Sequence, residues 1–282
     1  MTPSLPAERA ACDFTPLSED APQRKLAVLI DADNAQPSAT PNLLVEIAKF
    51  GVACVRRVYG DWTQPNLAGW KALLHAHSLL PVQQFQYTTG KNSTDSALII
   101  DAMDLMHTGR FDGFCLVSSD SDFTRLAARL REEGLVVYGF GRRHTPEAFV
   151  KACTRFIYVE LLLPDAAQQI VPLPDATVKS ATRKRTHAVG KAEGLTPQQD
   201  ELPDPVQLIR QAVEATSDEN GWAVLPSVAQ NILKNYPQFD ARLYRHAKFG
   251  GLVRAFPGQF ELATMARPSG NMDLHVRIKN GS

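Results

Sequence analysis

The chain has 282 residues, of which 44% are hydrophobic, so it is long enough for one domain of ordinary size and a second, smaller one. Its 30 basic and 30 acidic residues cancel, which excludes a protein that attracts nucleic acid by overall charge and leaves only local patches for that purpose. No apolar stretch reaches the length of a membrane span, and the first residues lack the basic start and apolar run of a signal peptide. The four cysteines lie far apart without a CxxC pair, which favours a reduced, cytoplasmic protein.

The first half of the chain has the pattern of an α/β domain. Residues 1–24 are rich in proline, alanine and charge without a period, which predicts a flexible leader. From residue 25 to residue 162, short β-rich runs alternate with amphipathic stretches, and the predicted strands are LAVLI, VACVRRVY, LPVQQFQY, GFCLV, LVVYGF and FIYVEL. This alternation is typical of a parallel sheet with helices on its faces.

The second half divides into a linker, a small domain and a tail. Residues 163–203 are rich in proline, glutamine, alanine and threonine and contain the basic run KSATRKRTHAVGK, so they are predicted to be a flexible basic linker that is either a solvated spacer or a nucleic-acid contact. Periodicity returns over 204–266 and predicts three helices and a short strand, GQFEL. Residues 267–282 are predicted to be a flexible tail.

Polar and acidic side chains follow two of the predicted strands. LAVLI is followed by Asp31 and Asn34, and FCLV is followed by Ser118, Asp120 and Asp122. Ligands of open parallel sheets bind outside the carboxyl ends of the strands. We therefore expect the two acidic clusters to meet at one edge of the sheet if the two strands are neighbours.

A third acidic contribution comes from the predicted helix TDSALIIDAMDLM. Its Asp95 shares a face with three apolar residues, Ile99, Ala102 and Met106. Asp95 is therefore expected to point inward at the edge of the core, or alternatively to serve as the helix N-cap. Asp101 and Asp104 fall on the other side and are predicted to be solvated.

Four carboxylates at one edge of the sheet would repel one another. Each close pair costs about 4 kcal/mol at 4 Å and an effective dielectric of 20, so stability alone does not explain the arrangement. Protonation or a bound divalent cation relieves the repulsion, and oxygen-only ligands favour Mg²⁺ or Mn²⁺ over Zn²⁺. A cation held by such ligands can activate water for in-line attack on a phosphodiester.

The motifs in this region resemble a known family. LIDADN (29–34), KNSTDSALIIDAMDL (91–105), VSSDSDFTRLAARLREEG (117–134) and VYGFG followed by TPEAFVKAC (137–153) resemble the NYN domain, the LabA-like branch of the PIN-fold ribonucleases. The resemblance covers residues 25–162. It implies a PIN-like, Rossmannoid parallel sheet and a ribonuclease activity that depends on Mg²⁺ or Mn²⁺.

The resemblance also implies roles for particular residues. The acidic quartet that binds the metal in that family corresponds to Asp31, Asp95, Asp120 and Asp122, and Asn34 and Ser118 correspond to its supporting polar groups. Where many members of the family have glycine before the first aspartate of the last motif, this chain has Ser119.

Residues 204–266 resemble a second family, the OST-HTH or LOTUS domain, a small winged-helix module. The resemblance implies RNA binding or docking of a protein partner. A predicted helix that begins at Ala241 carries Arg242, Arg245 and Lys248, which form either an RNA-contacting face or an ordinary solvated one. In the first domain, Arg142 and Arg143 follow the last main strand and are candidates for contact with an RNA phosphate.

Two other functions stay open at this stage. The chain could be a non-catalytic RNA-binding adaptor whose metal site is vestigial or regulatory. It could also be a phosphatase of the haloacid dehalogenase type, with Asp31 as nucleophile and Asp33 as acid, although the small residues and threonine usual after the second aspartate are absent. The sequence leaves the oligomeric state undetermined.

Overall fold

The computed structural model describes residues 23–85, 93–163, 202–266 and 272–279. The predicted leader and linker fall almost entirely outside these ranges. None of the helices in the described ranges is both long enough and apolar enough to cross a membrane.

The first domain is built on a six-stranded sheet in which every neighbouring pair is parallel. The strand order is β3-β2-β1-β4-β5-β6. The strands are β1 (Lys25–Asp31), β2 (Val52–Gly60), β3 (Leu80–Gln83), β4 (Gly113–Val117), β5 (Val136–Gly141) and β6 (Arg155–Tyr158). The predicted α/β class is therefore confirmed, and β1 and β4, which carry the predicted acidic clusters, are neighbours.

Five helices connect these strands and cover both faces of the sheet. They are α1 (Thr40–Ile47), α2 (Lys71–Ala76), α3 (Ser93–His107), α4 (Thr124–Glu132) and α5 (Glu147–Ala152). Alternate residues of β1 enter two separate cores: Ala27 and Leu29 pack on one face, and Leu26, Val28 and Ile30 pack on the other. A continuous apolar run suits such a strand because helices bury it from both sides.

Asp101 differs from its prediction. It accepts hydrogen bonds from the Arg57 guanidinium and the Tyr59 hydroxyl, so it is not a solvated residue of α3. Because α3 packs against both β1 and β2, the flank of the helix also lies within reach of the sheet, which a single apolar stripe does not reveal. Asp104 is exposed, as predicted.

The second domain combines three helices with a three-stranded antiparallel sheet. The helices are α6 (Pro205–Thr216), α7 (Leu225–Asn235) and α8 (Phe249–Arg254), and the strands are β7 (Trp222–Val224), β8 (Phe260–Ala266) and β9 (Met272–Ile278), in the order β7-β9-β8. Its own core includes Ile209, Val228, Leu252 and Val276, so it is a domain distinct from the first one.

Two predictions for this domain are corrected by the structure. The predicted tail contains β9, whose residue Val276 is fully buried in the domain core. The helix predicted from Ala241 is instead a 3₁₀ turn over Ala241–Tyr244 followed by α8. Arg245 separates the two, because its backbone is left-handed with φ of 63° and cannot continue a helix.

The second domain packs on the amino end of the parallel sheet. The Phe156 amide of the edge strand β6 donates to the Pro237 carbonyl at 2.8 Å. The Arg242 guanidinium donates to both carboxylate oxygens of Glu46, near the end of α1, at 3.1 and 3.2 Å. The carboxyl end of the sheet, where the acidic residues lie, is on the opposite side.

Candidate metal centre

Three aspartates lie together at the carboxyl end of the sheet. Asp120 and Asp122 follow β4, and Asp95 lies in the first turn of α3. One carboxylate oxygen of each lies within 4.8 Å of the others, which is close enough for all three to contact one cation. Because α3 begins at Ser93, Asp95 lies inside the first turn rather than at the N-cap.

The loop after β4 is held by its own polar side chains. Asp120 caps the 3₁₀ turn Ser121–Phe123 by accepting from the Asp122 amide at 2.8 Å. The Ser118 hydroxyl accepts from the Asp120 amide at 3.1 Å. The sequence SSDSD therefore fixes the loop that carries two of the three clustered carboxylates.

Asp31 lies beneath the cluster and is fully buried. Its Oδ2 accepts from the Asn34 amide at 2.7 Å and from the Ser118 hydroxyl at 2.8 Å, and its Oδ1 accepts from the Asp33 backbone at 3.1 Å. Burial raises the pKa of Asp31, and these hydrogen bonds oppose the rise. Asp31 is not one of the three residues whose oxygens converge, and its Oδ1, which accepts one hydrogen bond, retains a second acceptor position.

The pKa of Asp95 is strongly raised by its surroundings. Partial burial raises its pKa to about 6, and the charges of Asp31, Asp120, Asp122 and Asp33 add to the rise. The charges of four other carboxylates act on this one side chain, so negative charge accumulates at this edge of the sheet. A bound cation would relieve it.

Two further aspartates extend the acidic edge. Burial raises the pKa of Asp33, with a contribution from the charge of Asp61, while a hydrogen bond from Thr94 opposes the rise. Asp61 follows β2 directly and accepts from Thr63 and Gln83, which hold its pKa well below the usual range. The sequence-based prediction did not select Asp61, although its signal, a carboxylate directly after a β-rich run, is the one that located Asp31.

Arg142 and Arg143 also lie at this end of the sheet, after β5. The Arg142 amide donates to the Ser119 hydroxyl at 2.8 Å, so the serine that replaces the usual glycine ties the ends of β4 and β5 together. The Arg142 Nε and the Thr40 hydroxyl are buried, have no hydrogen-bond partner among the described residues and line one small cavity. Arg143 is exposed.

The predicted RNA-contacting residues of the second domain belong to the segment that begins with the contact between Arg242 and Glu46 at the amino end of the sheet. Arg242 is held by Glu46 and Asp240, whereas Arg245 and Lys248 are exposed. The structure therefore does not bring these three side chains to the acidic cluster. Their contact with RNA stays a prediction.

The donor set fits a hard divalent cation. The clustered atoms are all carboxylate oxygens, and neither histidine nor cysteine belongs to the group among the described residues. Oxygen donors of this kind suit Mg²⁺ or Mn²⁺ and lack the nitrogen and sulfur ligands typical of Zn²⁺ sites.

The protein combines two domains. The first is an α/β domain with an acidic cluster at the carboxyl edge of its parallel sheet, and the second is a small helical domain with an antiparallel sheet. Residues 25–162 match the NYN domain family model, and residues 200–271 match the OST-HTH/LOTUS domain family model. The chain therefore contains an NYN domain followed by an OST-HTH/LOTUS domain. This pair of domains supports a nuclease with an RNA-binding domain.

Two solved structures are similar to parts of the chain. The crystal structure of a protein of unknown function from Vibrio parahaemolyticus is 19% identical, and the match covers 50% of this chain and 96% of that one, with a TM-score of 0.41. The solution NMR structure of an uncharacterized protein from Nitrosomonas europaea is 27% identical, and the match covers 36% and 95%, with a TM-score of 0.27. A search of curated proteins found no match.

Proposed function

We propose that this protein is a ribonuclease that depends on Mg²⁺ or Mn²⁺ and hydrolyses RNA phosphodiesters at the acidic edge of the NYN domain. The observation that carries the proposal is that carboxylate oxygens of Asp95, Asp120 and Asp122 lie within 4.8 Å of one another at the carboxyl end of the parallel sheet of the NYN domain. Carboxylates this close repel one another, and a bound divalent cation relieves the repulsion.

The residues divide into ligands and positioning groups. Asp95, Asp120 and Asp122 would hold the cation, and Asp31 would contribute through the free position of Oδ1. Asn34 and Ser118 orient the Asp31 carboxylate by their hydrogen bonds. When bound, the cation supplies a Lewis acid that neutralises phosphate charge and lowers the pKa of water.

The test compares cleavage of labelled RNA by the full chain with Mg²⁺, with Mn²⁺ and with EDTA. We expect cleavage with the metals and none with EDTA. Asp120→Asn should lower the rate by about 10²–10³-fold, because it removes a charge that both holds the cation and orders the loop. RNA binding in EDTA should survive this substitution, since it removes a negative charge.

Asp104→Asn is the matched control, because Asp104 is an exposed aspartate of α3 outside the cluster. Its rate should stay within about twofold of the wild-type rate. Equal activity of the wild type and Asp120→Asn, or cleavage that persists in EDTA, would identify a contaminating nuclease and remove the proposal.

The same proteins and RNA substrates distinguish the two alternative functions, an RNA-binding adaptor and a phosphatase. The adaptor hypothesis expects RNA binding without metal-dependent cleavage. The phosphatase hypothesis needs Asp31 as a nucleophile open to substrate, but its side chain is fully buried and both of its oxygens accept hydrogen bonds. A phosphoaspartate trapped at position 31 would favour the phosphatase hypothesis.

A further inference from the structure

A basic cleft lies between the two domains at the amino end of the parallel sheet. Its volume is about 650 Å³. Five cationic side chains from both domains line it, and no aspartate or glutamate is among the described residues that do so; the cations are Arg24, Arg131, Lys151, Arg155 and Lys234. We refer to it below as the interdomain cleft.

Only two of these cations have a carboxylate partner in the described part of the chain. Lys151 pairs with Glu147 at 2.7 Å, and Arg155 lies 4.0 Å from Asp240. Arg24 instead donates to the Tyr138 hydroxyl at 3.0 Å.

Arg131 donates to the backbone carbonyls of Lys151 and Ala152, each at 3.2 Å, and it is exposed. Lys234, near the end of α7, is exposed as well. In a protein of zero net charge, a cleft with several uncompensated cations and no lining acid among the described residues is a local positive patch. Such a patch attracts an anionic ligand.

We propose that the interdomain cleft binds the phosphate backbone of an RNA strand at a second site, separate from the metal centre. This inference rests on the proposed function, which makes RNA the polyanion that the protein meets. Three of the five cations are arginines, whose forked guanidinium groups match phosphate oxygens.

The cleft favours contact with phosphates over contact with bases. Phe50 is a partly exposed aromatic side chain of its lining, but its ring is already stacked on Tyr138 with centroids 4.5 Å apart and covered by the Arg155 guanidinium at 5.1 Å. A stacking platform for bases needs an open ring face. Binding at the cleft should therefore be independent of RNA sequence and sensitive to salt.

The two sites lie at opposite ends of the same sheet. The lining of the cleft includes residues at or before the amino ends of β1, β5 and β6, whereas the acidic cluster lies after the carboxyl end of β4 and in the first turn of α3. The seven residues of β1 alone span about 23 Å. A short RNA can therefore occupy the metal centre alone, while a long RNA can reach both sites.

The test measures RNA affinity by fluorescence anisotropy with the full chain in EDTA. The probes are labelled, unstructured RNAs of about 30 and about 5 nucleotides. For the long RNA, Arg131→Glu combined with Lys234→Glu should raise the dissociation constant at least about tenfold. The slope of log affinity against log salt should become shallower by about 0.7 for each phosphate that the variant no longer neutralises.

Two matched variants accompany the charge reversal. Arg131→Lys combined with Lys234→Arg keeps the charge and should keep the affinity. Arg110→Glu combined with Lys279→Glu changes the net charge equally at exposed positions outside the cleft and should have little effect. Cleavage of the short RNA should be the same in all these variants.

An equal decrease of affinity in the cleft and control pairs, or unchanged affinity in the cleft pair, would overturn the inference. Binding of poly-glutamate to the wild type without binding of RNA would also overturn it and indicate an acidic protein partner. Affinity is measured in EDTA and is therefore independent of cleavage. Absence of cleavage would contradict the proposed function but not the inference about the interdomain cleft. Normal cleavage with unchanged affinity in the cleft pair would contradict the inference but not the proposed function.

Discussion

The raised pKa of Asp95 reflects its partial burial and the repulsion among the carboxylates of the site. Its pKa rises from an ordinary 3.8 to about 6, because burial and four neighbouring carboxylates disfavour its charge. The metal-free native state therefore holds this proton more tightly than the unfolded chain does. The contribution of Asp95 to stability is greatest below about pH 4, declines between about pH 4 and 6, and is unfavourable at pH 7.

A cation at the site should reverse this pH dependence. Below about pH 6 a proton competes for the Asp95 carboxylate, so Mn²⁺ should raise the melting temperature more at pH 7 than at pH 5. Asp95→Asn should stabilise the metal-free protein at pH 7 by about 1 kcal/mol, or about 3 °C, and should lose most of the shift caused by Mn²⁺. Differential scanning fluorimetry measures both.

Asp104→Asn again provides the comparison, because Asp104 lies on α3 but outside the acidic cluster. It should leave the metal-free melting temperature and the Mn²⁺ shift near their wild-type values. A lower metal-free melting temperature for Asp95→Asn would mean that the carboxylate stabilises the fold, for example through the positive amino end of α3. That result would contradict the electrostatic account of the site.

The sequence does not indicate how important strand β9 is for the stability of the second domain. It lies between β7 and β8 and pairs with both, so the small sheet cannot form without it. Val276→Asp places a charge where the side chain is fully buried and should lower the free energy of unfolding of the second domain by roughly 3 kcal/mol or more. Urea denaturation followed by tryptophan fluorescence measures this, with Trp222 on β7 as the probe of the second domain and Trp62 and Trp70 as probes of the first.

Met272→Asp tests whether the effect belongs to burial or to the strand as a whole. Met272 belongs to the same strand but is 62% exposed, so the same substitution there should change stability by no more than about 0.5 kcal/mol. If Val276→Asp were as mild as Met272→Asp, residues 272–278 would behave as the tail that the sequence suggests.

The sequence predicts the elements of the first domain well, because its signals are local. Each predicted strand corresponds to one of β1–β6, although the last part of FIYVEL is a 3₁₀ turn over Val159–Leu162, because apolar β-rich runs alternate with helical stretches. The strand-end rule also locates Asp31, Asp120 and Asp122 at one edge. It does not separate the roles of these residues, because the burial of Asp31 and the hydrogen bond that it accepts from Ser118 depend on how β1 and β4 pair.

The second domain is harder to predict because its signals are weak or non-local. In MDLHVRI, apolar residues alternate with polar ones, which is the pattern of a half-buried strand, but the segment lies close to the chain end and follows a turn-rich stretch. The run from Ala241 to Arg254 contains enough apolar residues for one helix. Its interruption depends on a left-handed Arg245 and on Asp240, which caps the preceding 3₁₀ turn.

At the scale of the whole molecule, a net charge of zero conceals a division of charge. Carboxylates collect at the carboxyl end of the parallel sheet, and cations collect at its amino end, where the second domain docks. Arg242 is the main polar link across that contact. It binds Glu46 of the first domain and Asp240 of its own domain, and both carboxylate side chains are largely buried.

Removal of Arg242 should loosen the contact between the domains. Although burial opposes it, hydrogen bonds from Lys49 and Arg242 hold the pKa of Glu46 below its usual range, so Glu46 stays charged at neutral pH. Arg242→Ala leaves that charge with Lys49 alone and should cost about 3 kcal/mol. Small-angle X-ray scattering should show a larger radius of gyration, because the second domain is no longer held against α1.

A double-mutant cycle assigns the effect to the pair. Glu46→Gln and Arg242→Ala should couple by about 1–3 kcal/mol in the free energy of unfolding, since either change alone already breaks the ion pair. Arg254→Ala removes an exposed arginine of the same domain and should change neither the stability nor the radius of gyration. Additive effects in the cycle, with an unchanged radius in Arg242→Ala, would mean that the domains are held by their apolar and backbone interactions, including the hydrogen bond from the Phe156 amide to the Pro237 carbonyl.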